Sequence, residues 1–198
     1  MRTKALLLTA AVFAAGLVGA SAQVYSANVV GYVNVPIKAG FNLIANPLNT
    51  TNNTLDNLFP NAGFGDQIFK YNGSTFDIST YIGFWSPGNT LNPGEGVFYN
   101  NGGVSNSVTF VGEVLTGNLT NNIPSGFSIR SSQVPQSDTL ENMGFPAGFG
   151  DQVFFYRNGG YVPSTYIGFF SPTAQPAVGE AFWVNSGTGG SWTRTFNP

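Results

Sequence analysis

Cysteine and histidine are both missing from this chain, and charged residues make up only 8% of it. Without cysteine there is no disulfide framework and no lipidated thiol, so the fold must be held by its core alone. Without histidine as well, Ser-His-Asp and Cys-His nucleophilic systems are closed off. So are the usual zinc, copper and haem ligand sets. Removing Arg2 and Lys4 of the N-terminal segment leaves five basic residues (Lys38, Lys70, Arg130, Arg157 and Arg194) against nine acidic ones, a net charge of −4. No cluster of Lys and Arg exists to neutralise phosphates, which excludes nucleic acid and anionic membrane surfaces as expected partners. The glycines form no phosphate loop with a lysine. Nor does a second long apolar run follow the N-terminal one, so no later segment is built as a membrane-spanning helix.

What is present begins with three parts of a secretory signal peptide. Met1-Arg2-Thr3-Lys4 is basic, Ala5 to Gly19 is apolar and rich in small residues, and Ala20-Ser21-Ala22 is a cleavage site. The apolar run is shorter than the roughly 20 residues a membrane span needs. Residues 1–22 are therefore set apart from the fold, and a secreted, periplasmic or outer-surface location is expected.

The mature chain is internally duplicated. Ser79-Thr80-Tyr81-Ile82-Gly83-Phe84-Trp85-Ser86-Pro87 returns 85 residues later as Ser164-Thr165-Tyr166-Ile167-Gly168-Phe169-Phe170-Ser171-Pro172. Gly63-Phe64-Gly65-Asp66-Gln67 returns at the same spacing as Gly148-Phe149-Gly150-Asp151-Gln152. Short runs rich in β-branched and aromatic residues alternate with turn signals, among them Asn72-Gly73 and Arg157-Asn158-Gly159-Gly160, which mark hairpins. A sustained helical period is absent beyond the signal peptide. The one short helical turn expected lies around Leu55-Asp56-Asn57-Leu58, with its match at Leu140 to Met143. The expected fold is all-β: two tandem repeats of about 86 residues, 23–110 and 111–198, forming a pseudo-twofold sandwich or barrel. Each repeat is small for an independent core and no linker joins them, so one body with a shared core is favoured. In Phe41-Leu43-Ala45 and its counterpart Phe127-Ile129, the row that stays apolar in both copies is read as the inward face.

The segments Val24 to Val35, Gly40 to Leu48, Gly65 to Gly73 and Pro93 to Phe98 together resemble a group of signal-peptide-bearing proteins. These come from environmental Gram-negative bacteria of the planctomycete and verrucomicrobial kind. The same modules are similar to β-domains embedded in large secreted and surface proteins of other bacteria. The resemblance covers nearly all of the mature chain. It implies export and a β-rich module, and brings no activity, catalytic residue or cofactor.

Two sets of residues are candidates for function. Phe, Tyr and Trp make up 15% of the chain, and flat aromatic faces suit the apolar faces of sugars. Trp85 and Phe170 are the one divergent position of the repeated nonapeptide. Phe98 and Trp183 alternate with the equivalent Val97 and Phe182, so they face the other side of their sheet. These four are the candidate ligand-binding residues, with the alternative that they are core aromatics. The second set is four carboxylates that recur by symmetry, Asp66 with Asp151 and Glu95 with Glu180. They suit calcium ligation, a carboxylate-based glycoside hydrolase, or turn-making. An acid/base pair needs unlike environments, which twin copies do not supply, so no catalytic residue, cofactor or metal is assigned. The expected function is an exported non-catalytic β-module for cell-surface or extracellular interaction, with polysaccharide as its partner. A self-associating envelope or matrix protein is the alternative, because charged residues that would block edge-to-edge pairing are scarce.

Overall fold

A computed structural model describes residues 29–197. The expected signal peptide lies outside the described residues. The elements are β1 (Val30–Ile37), β2 (Gly40–Ile44), a single helical turn α1 (Leu55–Leu58), β3 (Gln67–Tyr71), β4 (Phe76–Tyr81), β5 (Trp85–Ser86), β6 (Val97–Asn101) and β7 (Asn106–Glu113). There follow β8 (Gly117–Ile123), β9 (Gly126–Arg130), β10 (Gln152–Arg157), β11 (Gly160–Tyr166), β12 (Phe170–Ser171), β13 (Phe182–Ser186) and β14 (Gly190–Phe196). The protein is all-β, as its alternating sequence leads one to expect.

In the first half, β1 and β7 form an antiparallel ribbon, and β2-β6-β3-β4-β5 form a five-stranded sheet in that order. In the second half, β8 pairs with β14, and β9-β13-β10-β11-β12 form the equivalent sheet. The strand order of the two halves is the same. Each ribbon packs on one face of its own sheet, because alternation places Ile68, Val97 and Tyr99 on that face in the first half, and Val153, Phe155, Phe182 and Val184 in the second. Leu55 and Leu58 of α1 close the first core, and Leu140 and Met143, carried on a turn, close the second. The Arg157-Asn158-Gly159-Gly160 hairpin has Asn158 at φ 55° and Gly159 at φ 79°. This left-handed pair fits a two-residue turn whose twist matches the strands.

Each half thus has a core of its own, and a third apolar cluster joins them. It contains Leu43, Ala45, Phe98, Ile129 and Ala181, flanked by half-buried Tyr71, Phe76, Tyr156 and Trp183. The inward row inferred from the sequence needs correction here. Phe41, Leu43 and Ala45 face this seam between the halves, with Phe41 itself 48% exposed, while Ile44 of the opposite row enters the first core. Ser128, on the row that drifts to polar, is only 4% exposed. The physical reason is that both faces of these strands are covered, one by a ribbon and one by the other half, so apolarity of a row does not tell which cover it meets.

Backbone bonds stitch the seam reciprocally. Ala45 N–H donates to Gly179 O at 2.9 Å, and Ser131 N–H donates to Gly94 O at 3.1 Å. Ile44 bridges Glu180, and Glu95 bridges Arg130. At Gly96 the halves touch so closely that a Cβ would stand 2.4 Å from Ala181 Cβ and 2.5 Å from Ile129 Cγ2. We therefore expect Gly96→Ala to destabilise the protein by about 1–3 kcal/mol through overpacking. Urea unfolding of the variant checks this; an unchanged midpoint contradicts the close approach.

Candidate functional site

The faces of the two five-stranded sheets turned away from the ribbons carry clusters of half-buried and exposed aromatics. Alternation places on one face Phe41 of β2, Phe98 of β6, Phe69 and Tyr71 of β3, and Phe76 of β4, beside Leu43 and Ile78. Phe41 lies 5.5 Å from Phe69 and 6.1 Å from Phe98, in tilted and edge-to-face pairs typical of aromatic contacts. In the second half the equivalent positions hold Phe127, Trp183, Phe154, Tyr156 and Tyr161. The tip of each β-hairpin reaches across the seam, so that Tyr71 packs 4.9 Å from Trp183 and Tyr156 packs 5.5 Å from Phe98.

Two shallow hollows result, one on each half. The first, of about 360 Å³, is lined by Phe41, Phe69, Phe76, Phe98 and, from the second half, Tyr156 and Tyr161. The second, of about 320 Å³, is lined by Phe127, Phe154, Tyr161, Trp183 and, from the first half, Tyr71. Each hollow is thus made from one sheet and completed by the hairpin of the other half. Both fall in the size range of small-ligand sites, about 300–1,000 Å³. The only polar atoms their side chains offer are tyrosine hydroxyls and the Trp183 indole N–H.

Trp183 therefore lines a hollow, half-buried, and Phe98 forms the floor of the other at 7% exposed. Trp85 and Phe170 do not belong with them. Both are 2% exposed, inside the first and second cores respectively, and present no face to a ligand. They differ between the copies because each fills an inward position of a two-residue strand against different neighbours: Trp85 packs on Phe59 and Tyr81, Phe170 on Phe145 and Tyr166.

The four recurrent carboxylates are engaged in turns. Asp66 accepts the Gly63 N–H at 2.8 Å, the Gly102 N–H at 2.9 Å and the Tyr99 hydroxyl at 2.5 Å. Burial, then the Asp66 carboxylate, pushes the Tyr99 hydroxyl well above the usual phenol range. Asp151 does the same work, accepting from Gly148 N–H, Gly187 N–H and the Ser186 hydroxyl. Glu95 accepts the Asn92 N–H and pairs with Lys70 at 3.0 Å; Glu180 accepts the Ala177 N–H and pairs with Arg157 at 2.6 Å. Of the roles open to them from sequence, the structure shows turn-making. Among the described residues no three Asp or Glu side chains converge to hold a metal ion. Sequence reasoning missed a third recurrent pair: Asp56 Oδ1 accepts the Trp85 N–H, and Glu141 Oε1 accepts the Phe170 N–H. These fix the short strands β5 and β12. The alignment of Leu55-Asp56 with Leu140-Glu141 was the available signal.

Comparison with protein-family models, with curated proteins and with solved structures finds no match to this chain.

Burial opposes ionisation of Asp151, but hydrogen bonds from Gly187, Gly148 and Ser186 outweigh it and hold its carboxyl below the usual range. A depressed folded-state value means that Asp151 adds stability above its unfolded value, about 3.9, and loses it as the pH falls through the lower folded value. Asp151→Asn should therefore lower stability at neutral pH and flatten this acid limb. The slope of unfolding free energy against pH, compared with the native chain, checks it; an unaltered slope refutes the assignment.

Proposed function

We propose that this chain is a non-catalytic binding module of the cell exterior that receives a glycan on its paired aromatic hollows. The observation that carries the reading is the hollow of Phe127, Phe154, Tyr161 and Trp183 with its counterpart on the first half. A contiguous aromatic surface of this size, left open on a weakly charged protein, marks an interaction site. Sugar rings present apolar C–H faces to such rings, while the tyrosine hydroxyls supply the polar contacts at the rim. The missing histidine and cysteine, with the carboxylates committed to turns, support a role in holding a ligand rather than transforming it. The N-terminal signal-like segment supports an exterior location.

Tyr161 lines both hollows and is 54% exposed, so its removal costs little packing. Tyr161→Ala should weaken retention on an immobilised neutral polysaccharide roughly tenfold, the loss of one stacked ring. Affinity electrophoresis against a panel of neutral polysaccharides measures it. Failure of the native chain to be retarded by any of them, or retardation unaffected by the substitution, counts against the reading.

A second reading, self-association, is favoured by a separate observation. Phe64 and Phe149 are 83% and 84% exposed at the tips of equivalent loops. Each tip sits on a glycine at φ 89°, Gly65 or Gly150, whose left-handed backbone only glycine adopts cheaply. Gly65 N–H donates to Tyr81 O, which brings Phe64 beside the loop carrying exposed Ile82 and Phe84; Gly150 and Tyr166 do the same for Phe149, Ile167 and Phe169. On this reading light scattering finds concentration-dependent oligomers that the Phe64→Ser, Phe149→Ser double variant loses. A strict monomer at high concentration removes it.

A further inference from the structure

The two halves match in their aromatic hollows but not at the rims. Lys38 aligns with Pro124 of the second half, and Arg157 aligns with Asn72 of the first. Lys70, aligned with Phe155, and Arg130, aligned with Ile44, likewise lack a charged counterpart, so it is their meeting that sets Lys38 and Arg157 apart. The fold brings these two to one place. A cleft of about 400 Å³ lies where Val35 to Ile44 meets the tip of the β10–β11 hairpin, and its lining includes Lys38, Arg157, Asn158 and Glu180. Phe41 and Tyr156 line both this cleft and the aromatic hollow of the first half, so the two are continuous.

The charges in the cleft are not equivalent. Arg157 is held by both oxygens of Glu180, at 2.7 and 2.6 Å, and by Gln175 O at 2.8 Å, so its charge is matched. Lys38 stands in neither of the two ion pairs among the described residues. Its Nζ donates to Asn158 Oδ1 at 2.8 Å, which fixes the ammonium over the mouth of the cleft and leaves two N–H groups for another acceptor. Asn42, beside it, spends its amide on Lys38 O and Gly40 O and is not free. The polar end of this continuous surface is therefore a single positive charge, one step from an aromatic floor.

We propose that the first-half hollow and this cleft together bind an acidic saccharide, with sugar rings on Phe41, Phe69 and Phe76 and a carboxylate accepting from Lys38 Nζ. The inference rests on the glycan reading and narrows it to sugars that carry a carboxylate, at one site per chain. The second-half hollow shares no lining residue with this cleft and takes only the neutral rings. A carboxylate of the ligand supplies the charge complement that the protein leaves open at Lys38.

The test uses tetragalacturonate and its methyl ester, which share one backbone and differ in the charge and methylation of their carboxyl groups, titrated calorimetrically into the native chain and into Lys38→Gln. Lys38 is exposed, so the substitution leaves the cores untouched. The native chain should bind the acid about tenfold tighter than the ester, the worth of one charge-assisted hydrogen bond, with the preference shrinking as salt is added. Lys38→Gln should erase the preference, and Lys38→Arg should keep it. Equal binding of acid and ester by the native chain overturns this inference and leaves the glycan reading standing. A preference that survives in Lys38→Gln overturns it too, because the cation would then lie elsewhere. Binding of neither form overturns it, and joined to a failure on neutral polysaccharides it takes the glycan reading with it.

Discussion

The joint between the two halves, made by a small apolar cluster and by backbone bridges, is the contact on which the rest of this molecule depends. Each half closes a core between its sheet and its ribbon, but its outer sheet face carries rings that water does not favour. Joining the halves covers Leu43, Ala45, Phe98, Ile129 and Ala181, and the backbone bridges at Ala45–Gly179 and Ser131–Gly94 lock the register of that joint. No disulfide is available to do this. Small residues at the joint, Gly96 against Ala181, let the sheets approach, and the hairpin tyrosines Tyr71 and Tyr156 reach over to the opposite half. Because the sheets meet over only part of their faces, the remaining rings are left as open hollows. The joint and the proposed binding surface thus draw on one set of residues, divided by how far the other half extends over them.

Much of this was readable in the sequence, and the unreadable part has a common cause. The all-β class followed from alternation, turn chemistry and the want of a helical period, and the hairpin at Asn158-Gly159 from its two left-handed residues. The divergence of Phe98 and Trp183 from Val97 and Phe182 gave the correct sidedness of β6 and β13, since side chains alternate. Alternation separates two faces but cannot say what covers each. Phe41 and Ile44 lie on opposite rows and both meet apolar surroundings, one at the seam and one in the core. Trp85 and Phe170 drew attention because they differ between copies, yet a difference between two core aromatics registers only a change in local packing. The meeting of Lys38 with Asn158 joins residues 120 positions apart, and nothing local in either stretch announces it.

The same long-range logic bears on function. Symmetry between the halves explains what is shared: the loop carboxylates, the aromatic floors and the exposed phenylalanine tips. Departures from symmetry are the places where one copy is free to specialise while its twin keeps the fold. The clearest such departure is the cationic cleft at one end of the first-half hollow, which the second half does not reproduce. On the proposed reading, a module built this way would hold a chain-like ligand by repeated ring contacts and read its charge at a single point.

On the proposed function, the rings at the seam's open margin meet ligand while those in the cores do not. Tryptophan emission distinguishes them, since Trp85 and Trp192 are each 2% exposed and Trp183 is half-buried in the second-half hollow. Titrating a retained polysaccharide into the native protein should shift or quench the emission, and Trp183→Phe should abolish that response while the two core tryptophans keep their signal. A ligand-induced change that persists in Trp183→Phe, or binding with no change in the native emission, would contradict the account.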